Sequence, residues 1–350
     1  MISRYTRQIA LSDVGLTGQE KFASAHICMV GAGGLGATAL PALAGAGIGQ
    51  ITIIDHDTID ITNLHRQTIY RTDQTGQRKA ECAAEYLRAL NPEITVTAIT
   101  EKLTADNATA ISAQLNTVTL ILDGSDNFET KSLLNDIAIT MQTPLITASV
   151  NQWGGQIGIF KGHEHNKPCY RCIFPEFPTD AKNCNEAGIL GTSAGLVGMM
   201  QAHTALLHIL NHEILINFNA INLKTMRNEF IKSPKTPNCP HCNHTQINKQ
   251  KQKENTMPDM ISIDQLNDAD TIIIDVRNPD ELEADPLTNE QIKTPPINIP
   301  LPEFIARINE LPEGKRLAFL CAGNIRSRQA AEYLSTKGYK NVCVLDKFSL

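Results

Sequence analysis

The stretch HICMVGAGGLGATAL, residues 26–40, decides how this chain folds. It begins as an unbroken apolar run with β character and ends in small, helix-compatible residues, with the turn Gly31-Ala32-Gly33-Gly34-Leu35-Gly36 between them. A glycine turn that leaves a strand and opens a helix lets backbone N–H groups meet an anionic phosphate at close range. Outward from it the alternation repeats: ITIID (51–55), a helix near Lys79 to Asn91, ITVTAIT (94–100), a helix, TLILDGSDN (119–127), a helix, and PLITASV (144–150). This pattern predicts an α/β fold with a Rossmann-like, doubly wound parallel sheet.

The chain has 350 residues, of which 42% are hydrophobic, enough for two domains with separate cores. INKQKQKENTMP (247–258) is polar and lacks apolar periodicity, the composition of an exposed linker. After it a second α/β alternation runs through TIIIDVR (271–277), RLAFLCAGNIRS (316–327), SRQAAEYLSTKG (327–338) and NVCVLD (341–346). The expected division is 1–245, a linker over 246–258, and a smaller domain over 259–350. A net charge of -6 without a basic run argues against nucleic acid as a ligand. MISRYTRQIA has no long apolar segment, so no secretory signal is expected. The apolar stretch from Leu196 to Leu210 carries Gln201, His203 and His208 and is short for a bilayer, so it is expected as a buried helix capped near Thr192 or Ser193 rather than a membrane span. Nine cysteines in two close pairs and five singletons do not form a disulfide framework, which points to reducing cytoplasm.

Asp55 ends the strand after the glycine turn, where a carboxylate can hold ribose hydroxyls. These two features alone fit a nicotinamide-dinucleotide oxidoreductase equally well. The cations of Asn63-Leu64-His65-Arg66-Gln67 and Lys79 favour a triphosphate, because a dinucleotide pyrophosphate is held mainly by backbone amides. LDGSDN (122–127) adds carboxylates at a strand end suited to Mg²⁺.

RYTRQ, GAGGLG, IIDHD, TNLHRQ, GQRKAE and DGSDN, in this order between Arg4 and Cys242, resemble the ThiF/MoeB/HesA family of E1-like enzymes. The resemblance implies ATP at Gly31, Gly33, Gly34 and Gly36, ribose at Asp55, phosphate contacts from Asn63, Arg66, Gln67 and Lys79, and Mg²⁺ at Asp126. It implies a homodimer in which Arg7 reaches the partner's active site. By itself, Arg7 fits a solvated surface charge equally well. The implied reaction is adenylation of the C-terminal glycine of a small ubiquitin-fold sulfur-carrier protein ending in Gly-Gly. The alternative class is a non-catalytic scaffold that binds such a carrier. Trp153, before Gly154-Gly155, lines the carrier-tail channel in one reading and packs in the core in another.

Cys169-Tyr170-Arg171-Cys172 and Cys239-Pro240-His241-Cys242 have the spacing of a closed structural Zn²⁺ site, with a redox C-x-x-C as competitor and His241 as a second-choice ligand. Cys184, in the polar loop KNCNEAG (182–188), is an incidental thiol or, by resemblance, the crossover-loop cysteine that holds the carrier or resolves a persulfide. Cys28, Cys82 and Cys343 sit in apolar contexts and read as core.

Cys321 opens CAGNIRS (321–327), a loop joining a strand to a helix, where inward N–H groups and the helix dipole favour a thiolate. Arg326 follows with four residues between, the shorter loop of sulfurtransferases rather than that of cysteine phosphatases. With IIIDVRNPDE (272–281) and INIPL (297–301), the region resembles a rhodanese-like domain, implying sulfur transfer through a persulfide on Cys321. It departs from that pattern at Gly323-Asn324, at IKTPP and at LDKFSL; Asn324 is the next most tolerant residue after glycine at positive φ. The sulfur donor implied is a partner such as a cysteine desulfurase. The fusion points to molybdopterin synthesis, with a thiamine-type carrier as the alternative. The linker of about fourteen residues spans roughly 20 Å as a flexible coil, enough to bring Cys321 to an adenylate.

Overall fold

The computed structural model describes residues 2–175, 188–212, 218–243, 258–263, 266, 271–286, 295–312, 314–339 and 341–346. They form two compact units, one of residues 22–249 and one of residues 1–21 with 250–350. The linker expected at 246–258 lies almost wholly outside the described residues.

In the larger unit, β1 (His26–Val30) is buried at every position. That burial suits the central strand of a parallel sheet covered on both faces. The chain continues through α3 (Gly36–Ala46), β2 (Gln50–Ile54), α4 (Lys79–Leu90), β3 (Thr95–Ile99), α5 (Ala108–Gln114), β4 (Leu120–Asp123), α6 (Phe128–Thr140) and β5 (Leu145–Asn151). The order β3-β2-β1-β4-β5 reverses direction between β1 and β4, which opens a crevice at their carboxyl ends.

Three strands that hydrophobic pattern did not reveal extend the sheet antiparallel: β6 (Gly154–Phe160), β7 (Phe218–Asn222) and β8 (Arg227–Ile231). β6 is interrupted by glycine and β8 is exposed throughout, so neither shows a clean apolar alternation. Between β6 and β7, after the short α7 (Tyr170–Ile173), α8 (Gly191–Ile209) packs on α3 and β5. Its N-cap is Leu190, which makes no side-chain cap bond; the cap expected near Thr192 or Ser193 is therefore two or three residues too late, and Ser193 is buried inside the helix. No helix among the described residues is long and apolar enough to cross a membrane.

The second unit is built on a parallel sheet of order β11-β10-β12-β13-β9, with β9 (Asp259–Ile261), β10 (Thr271–Asp275), β11 (Ile297–Asn298), β12 (Arg316–Leu320) and β13 (Val342–Leu345). Its helices include α9 (Pro279–Ala284) and α10 (Ile325–Thr336). One face is closed from the other end of the chain. Tyr5 and Ile9 of α1 (Ile2–Ile9) and Leu16 of α2 (Gly15–Ser24) share a core with Phe304, Phe319, Tyr333 and Leu334. The buried Gln329 of α10 donates to the Ile9 and Leu11 carbonyls at 3.1 and 3.3 Å, and Lys337 pairs with Glu20. Grouping by packing thus departs from the sequence division at residues 1–21, because the apolar side of this segment is buried in the second unit's core.

Leu16 is fully buried there, so Leu16→Ala should cost about 2–5 kcal/mol. The single tryptophan, Trp153, belongs to the other unit and makes the effect separable. Far-UV circular dichroism should show a transition moved to lower urea while the tryptophan fluorescence transition stays; equal shifts in both would contradict this packing.

Candidate active site

At the carboxyl ends of β1 and β4 the two backbones touch. Gly31 has φ +96°, and a Cβ on it would lie 2.8 Å from the Gly124 carbonyl oxygen; one on Gly36 would lie 2.3 Å from the Gly31 oxygen. Only glycine admits this approach. α3 has no side-chain cap, and the Ala37, Thr38 and Ala39 N–H groups of its first turn are taken by the Gly33 and Leu35 carbonyls, so the N–H groups a phosphate can meet are those of the glycine turn itself. Asp55, 9% exposed, accepts from the Ala32 N–H at 2.7 Å and the Asp57 N–H at 2.8 Å, tying the β2 end to the glycine turn. The Tyr70 hydroxyl donates to the Ala32 carbonyl at 2.8 Å, with the Lys79 carbonyl 3.3 Å away. Burial holds Tyr70 far above its usual titration range, so it remains a donor.

A cavity of about 1240 Å³ opens over this turn. Gly31, Gly33, Gly34, Asp55, Asn63, Arg66, Gln67, Lys79 and Asp126 all line it, and Gly36 stands behind them at the start of α3. The same cavity continues over β5 to β8, past Trp153, Phe218 and Arg227. Lys79 is buried and its Nζ lies 2.9 Å from Asp57 Oδ2, whose side chain is 53% exposed. Gln67, also buried, donates to Asn63 Oδ1 at 3.2 Å, while its own Oε1 has no partner among the described residues. An orphaned acceptor in a glycine-floored cavity that also holds Arg66 and Lys79 suits a nucleotide, whose hydroxyl or amino groups can donate to it. Asp126 is exposed at the cavity wall. Arg7 is exposed on α1, within the other unit, and Cys184 lies outside the described residues.

The four cysteines converge. Sulfur–sulfur distances are 3.8 Å for Cys169–Cys172, 3.8 Å for Cys169–Cys239 and 3.6 Å for Cys172–Cys242. A tetrahedron with metal–sulfur bonds of about 2.3 Å has edges of about 3.8 Å, so the cluster fits a four-thiolate ion. Burial, then repulsion from the other three sulfurs, pushes the Cys169 thiol up, and a bound dication is what lets four thiolates coexist. His241 turns away, its Nδ1 3.2 Å from Asp136.

In the second unit Cys321 is 1% exposed, and its sulfur lies 3.3 Å from the Ser327 N–H and 3.4 Å from the Ser327 hydroxyl. Asn324 adopts φ 60°, so asparagine supplies the left-handed residue of this loop and Gly323 does not. Arg326 is forked on Glu281 with two bonds of 2.6 Å, and the buried Arg277 binds Asp275 beneath the loop. Cys28, Cys82 and Cys343 are buried, as expected of core residues; burial pushes the Cys28 thiol up to about 12.

Comparison with known proteins bears on both units. Residues 5–242 match the model of the ThiF family, and residues 262–348 match a rhodanese-like domain. The chain belongs to the ThiF family. It is 40% identical over 210 residues to the sulfur carrier protein adenylyltransferase of Thermus thermophilus, covering 59% of this chain and 76% of that protein. Identity is also 40% over 214 residues to the adenylyltransferase and sulfurtransferase MOCS3 of Culex quinquefasciatus, covering 61% of this chain and 48% of that one. The chain therefore spans about half the length of such two-function relatives. Among solved structures, MccB of E. coli is similar in fold, with a TM-score of 0.60 at 20% identity over 72% of this chain and 75% of MccB.

The ThiF match spans the glycine turn and every residue that lines the cavity site. Sequence reading missed several residues of that site: Asp57, the partner of Lys79; Tyr70 beneath the turn; and the buried pair of Lys131 and Asp123. A lysine within FETKS looks like a surface charge, and its burial depends on β5, which closes over it. Glu281 was likewise quoted only as part of a motif.

Arg326, through its paired hydrogen bonds, holds the Glu281 carboxyl at about 2, below its ordinary 4.5. A depressed carboxylate contributes stability that is complete above about 4.5 and is lost as pH falls toward about 2. Glu281→Gln should therefore lower stability at neutral pH and flatten the acid limb of the unfolding midpoint across that window; a limb as steep as wild type would contradict the assignment.

Proposed function

We propose that this chain adenylates the C-terminal glycine of a small ubiquitin-fold sulfur-carrier protein and then converts it to a thiocarboxylate for molybdopterin synthesis. The observation that carries the reading is the single cavity that joins the glycine turn, Asp55, Arg66, Lys79 and Asp126 to an extension over β5 to β8. That extension has room for an extended peptide tail beside the nucleotide, with Trp153 on its wall. Kinship with sulfur-carrier adenylyltransferases supports it.

ATP would rest its phosphates on Gly31, Gly33 and Gly34, its ribose against Asp55, and its anionic oxygens against Asn63, Arg66, Gln67 and Lys79. A carboxylate oxygen of the carrier attacks the α-phosphorus, a P–O bond forms, and the bond to the β-phosphate breaks to release pyrophosphate. Two anions must approach, so the work of the site is neutralisation. Lys79 can exchange the half-exposed Asp57 for phosphate, and Arg66 adds a second cation. Mg²⁺, held at Asp126, would supply further charge neutralisation at the phosphates. Arg7 from the other protomer of a homodimer would complete the set. Cys169, Cys172, Cys239 and Cys242 would hold Zn²⁺, which would clamp their loops and leave no open position for substrate.

In the second step, the terminal sulfur of a persulfide on Cys321 attacks the acyl-adenylate carbonyl and AMP leaves. A second thiol, for which Cys184 is the candidate, then attacks the Cys321 sulfur. This leaves a disulfide and releases the thiocarboxylate. A donor such as a cysteine desulfurase loads the sulfur. Cysteine spacing without a disulfide framework and a net charge of -6 without a basic run suit a cytoplasmic enzyme that acts on protein rather than nucleic acid.

ATP–pyrophosphate exchange with a panel of Gly-Gly carriers of molybdopterin and thiamine type tests the first step. Lys79→Ala should lower the turnover number about 100- to 1000-fold with an unchanged unfolding midpoint; unaltered exchange would remove Lys79 from the mechanism. Cys321→Ala should keep exchange but yield no thiocarboxylate by mass spectrometry, whereas full loading by that variant without another donor would exclude an obligatory role.

Metal analysis should find one zinc per chain, and chelation should lower the thermal midpoint of the larger unit before exchange is lost. Exchange lost while the midpoint holds would argue for a catalytic metal instead.

A further inference from the structure

The geometry points to Lys131 as a positioning residue for adenylation, acting through Asp123 to fix the Asp126 carboxylate; this rests on the adenylation reading above. Lys79 and Lys131 are the buried lysines among the described residues. An ammonium removed from water is costly unless paired, and Lys131 is paired inside the fold. Its Nζ donates to Asp123 Oδ2 at 2.7 Å and to the Ala148 carbonyl of β5 at 3.0 Å. Asp123 is fully buried. Its other oxygen accepts from the Ser125 N–H at 2.9 Å and the Ser125 hydroxyl at 2.5 Å. One carboxylate thus joins α6, the end of β4 and the backbone just before Asp126.

On the far side Asn127 caps α6, accepting from the Thr130 N–H at 2.8 Å. Gln201 of α8 donates to the Asp123 carbonyl at 2.8 Å and to the Ile146 carbonyl at 3.1 Å, holding β4 and β5 in register at this edge. Both chain neighbours of Asp126 are therefore pinned while its carboxylate remains exposed in the cavity. An apolar pair could fill the space of Lys131 and Asp123 with little loss of stability. It could not hold Ser125, so the pair's contribution is to position Asp126.

The test uses the full chain as K131R, K131M and the double variant D123L/K131M, which removes the acceptor for Ser125 and avoids a lone buried charge if K131M folds poorly. The readouts are Mn²⁺ affinity of the ATP complex by electron paramagnetic resonance, and turnover number and KM for ATP in pyrophosphate exchange. In the double variant, with thermal midpoint near wild type, Mn²⁺ affinity should fall about 10-fold and turnover about 100-fold, with KM for ATP changed less than about 3-fold. K131R should recover most of both. Wild-type Mn²⁺ affinity and turnover in the folded double variant would overturn the proposal. So would a raised KM at constant turnover, which would make Lys131 a direct phosphate contact. Absence of exchange in the wild-type protein with every carrier would defeat the adenylation reading, and the Mn²⁺ titration would still decide the role of Lys131.

Discussion

The backbone contact between Gly31 and Gly124 leaves no space for a side chain, and the candidate site is organised around it. It brings the turn after β1 against the turn after β4, the two points between which the sheet changes direction. Asp55 and Tyr70 then attach to Ala32 from the β2 side, and Asp123 carries Ser125 and Asp126 from the β4 side. A cavity floor made of backbone leaves the polar side chains free to face inward from its rim.

Two lysines in this cavity are held in opposite ways. Lys79 is buried, but its acid partner Asp57 is half in water, where an ion pair is weak and easily exchanged. Lys131 meets an acid with no exposure at all, and breaking that pair would strand a charge in the interior. One cation is available to a ligand and the other is committed to the scaffold. The same contrast runs through the second unit, where Arg277 is locked to Asp275 beneath the Cys321 loop and Arg326 is held on the partly exposed Glu281.

Much of the fold was legible in the chain. Five parallel strands, the helices between them and β10, β12 and β13 of the second unit follow from short apolar runs alternating with helical spacing, whereas β9 and β11, of three and two residues, are too short to carry a pattern. The glycine turn, Asp55 and the paired C-x-x-C motifs follow from local chemistry. The antiparallel strands β6 to β8 were not legible, since glycines and exposure erase their alternation. The start of α8 was misplaced because Ser193 is buried within the helix rather than serving as its cap.

The sequence by itself determined the α/β class, the glycine turn, the four-sulfur cluster and the strand-to-helix loop at Cys321, because each depends on residues within a few positions of one another or on ligand chemistry with a distinctive spacing. Only the tertiary structure decided that Lys131 is buried, that Lys79 rests on Asp57, that Arg326 is forked on Glu281, and that residues 1–21 complete the core of the second unit. Those outcomes depend on which distant segment covers a side chain and removes it from water, and burial of that kind has no period along the chain.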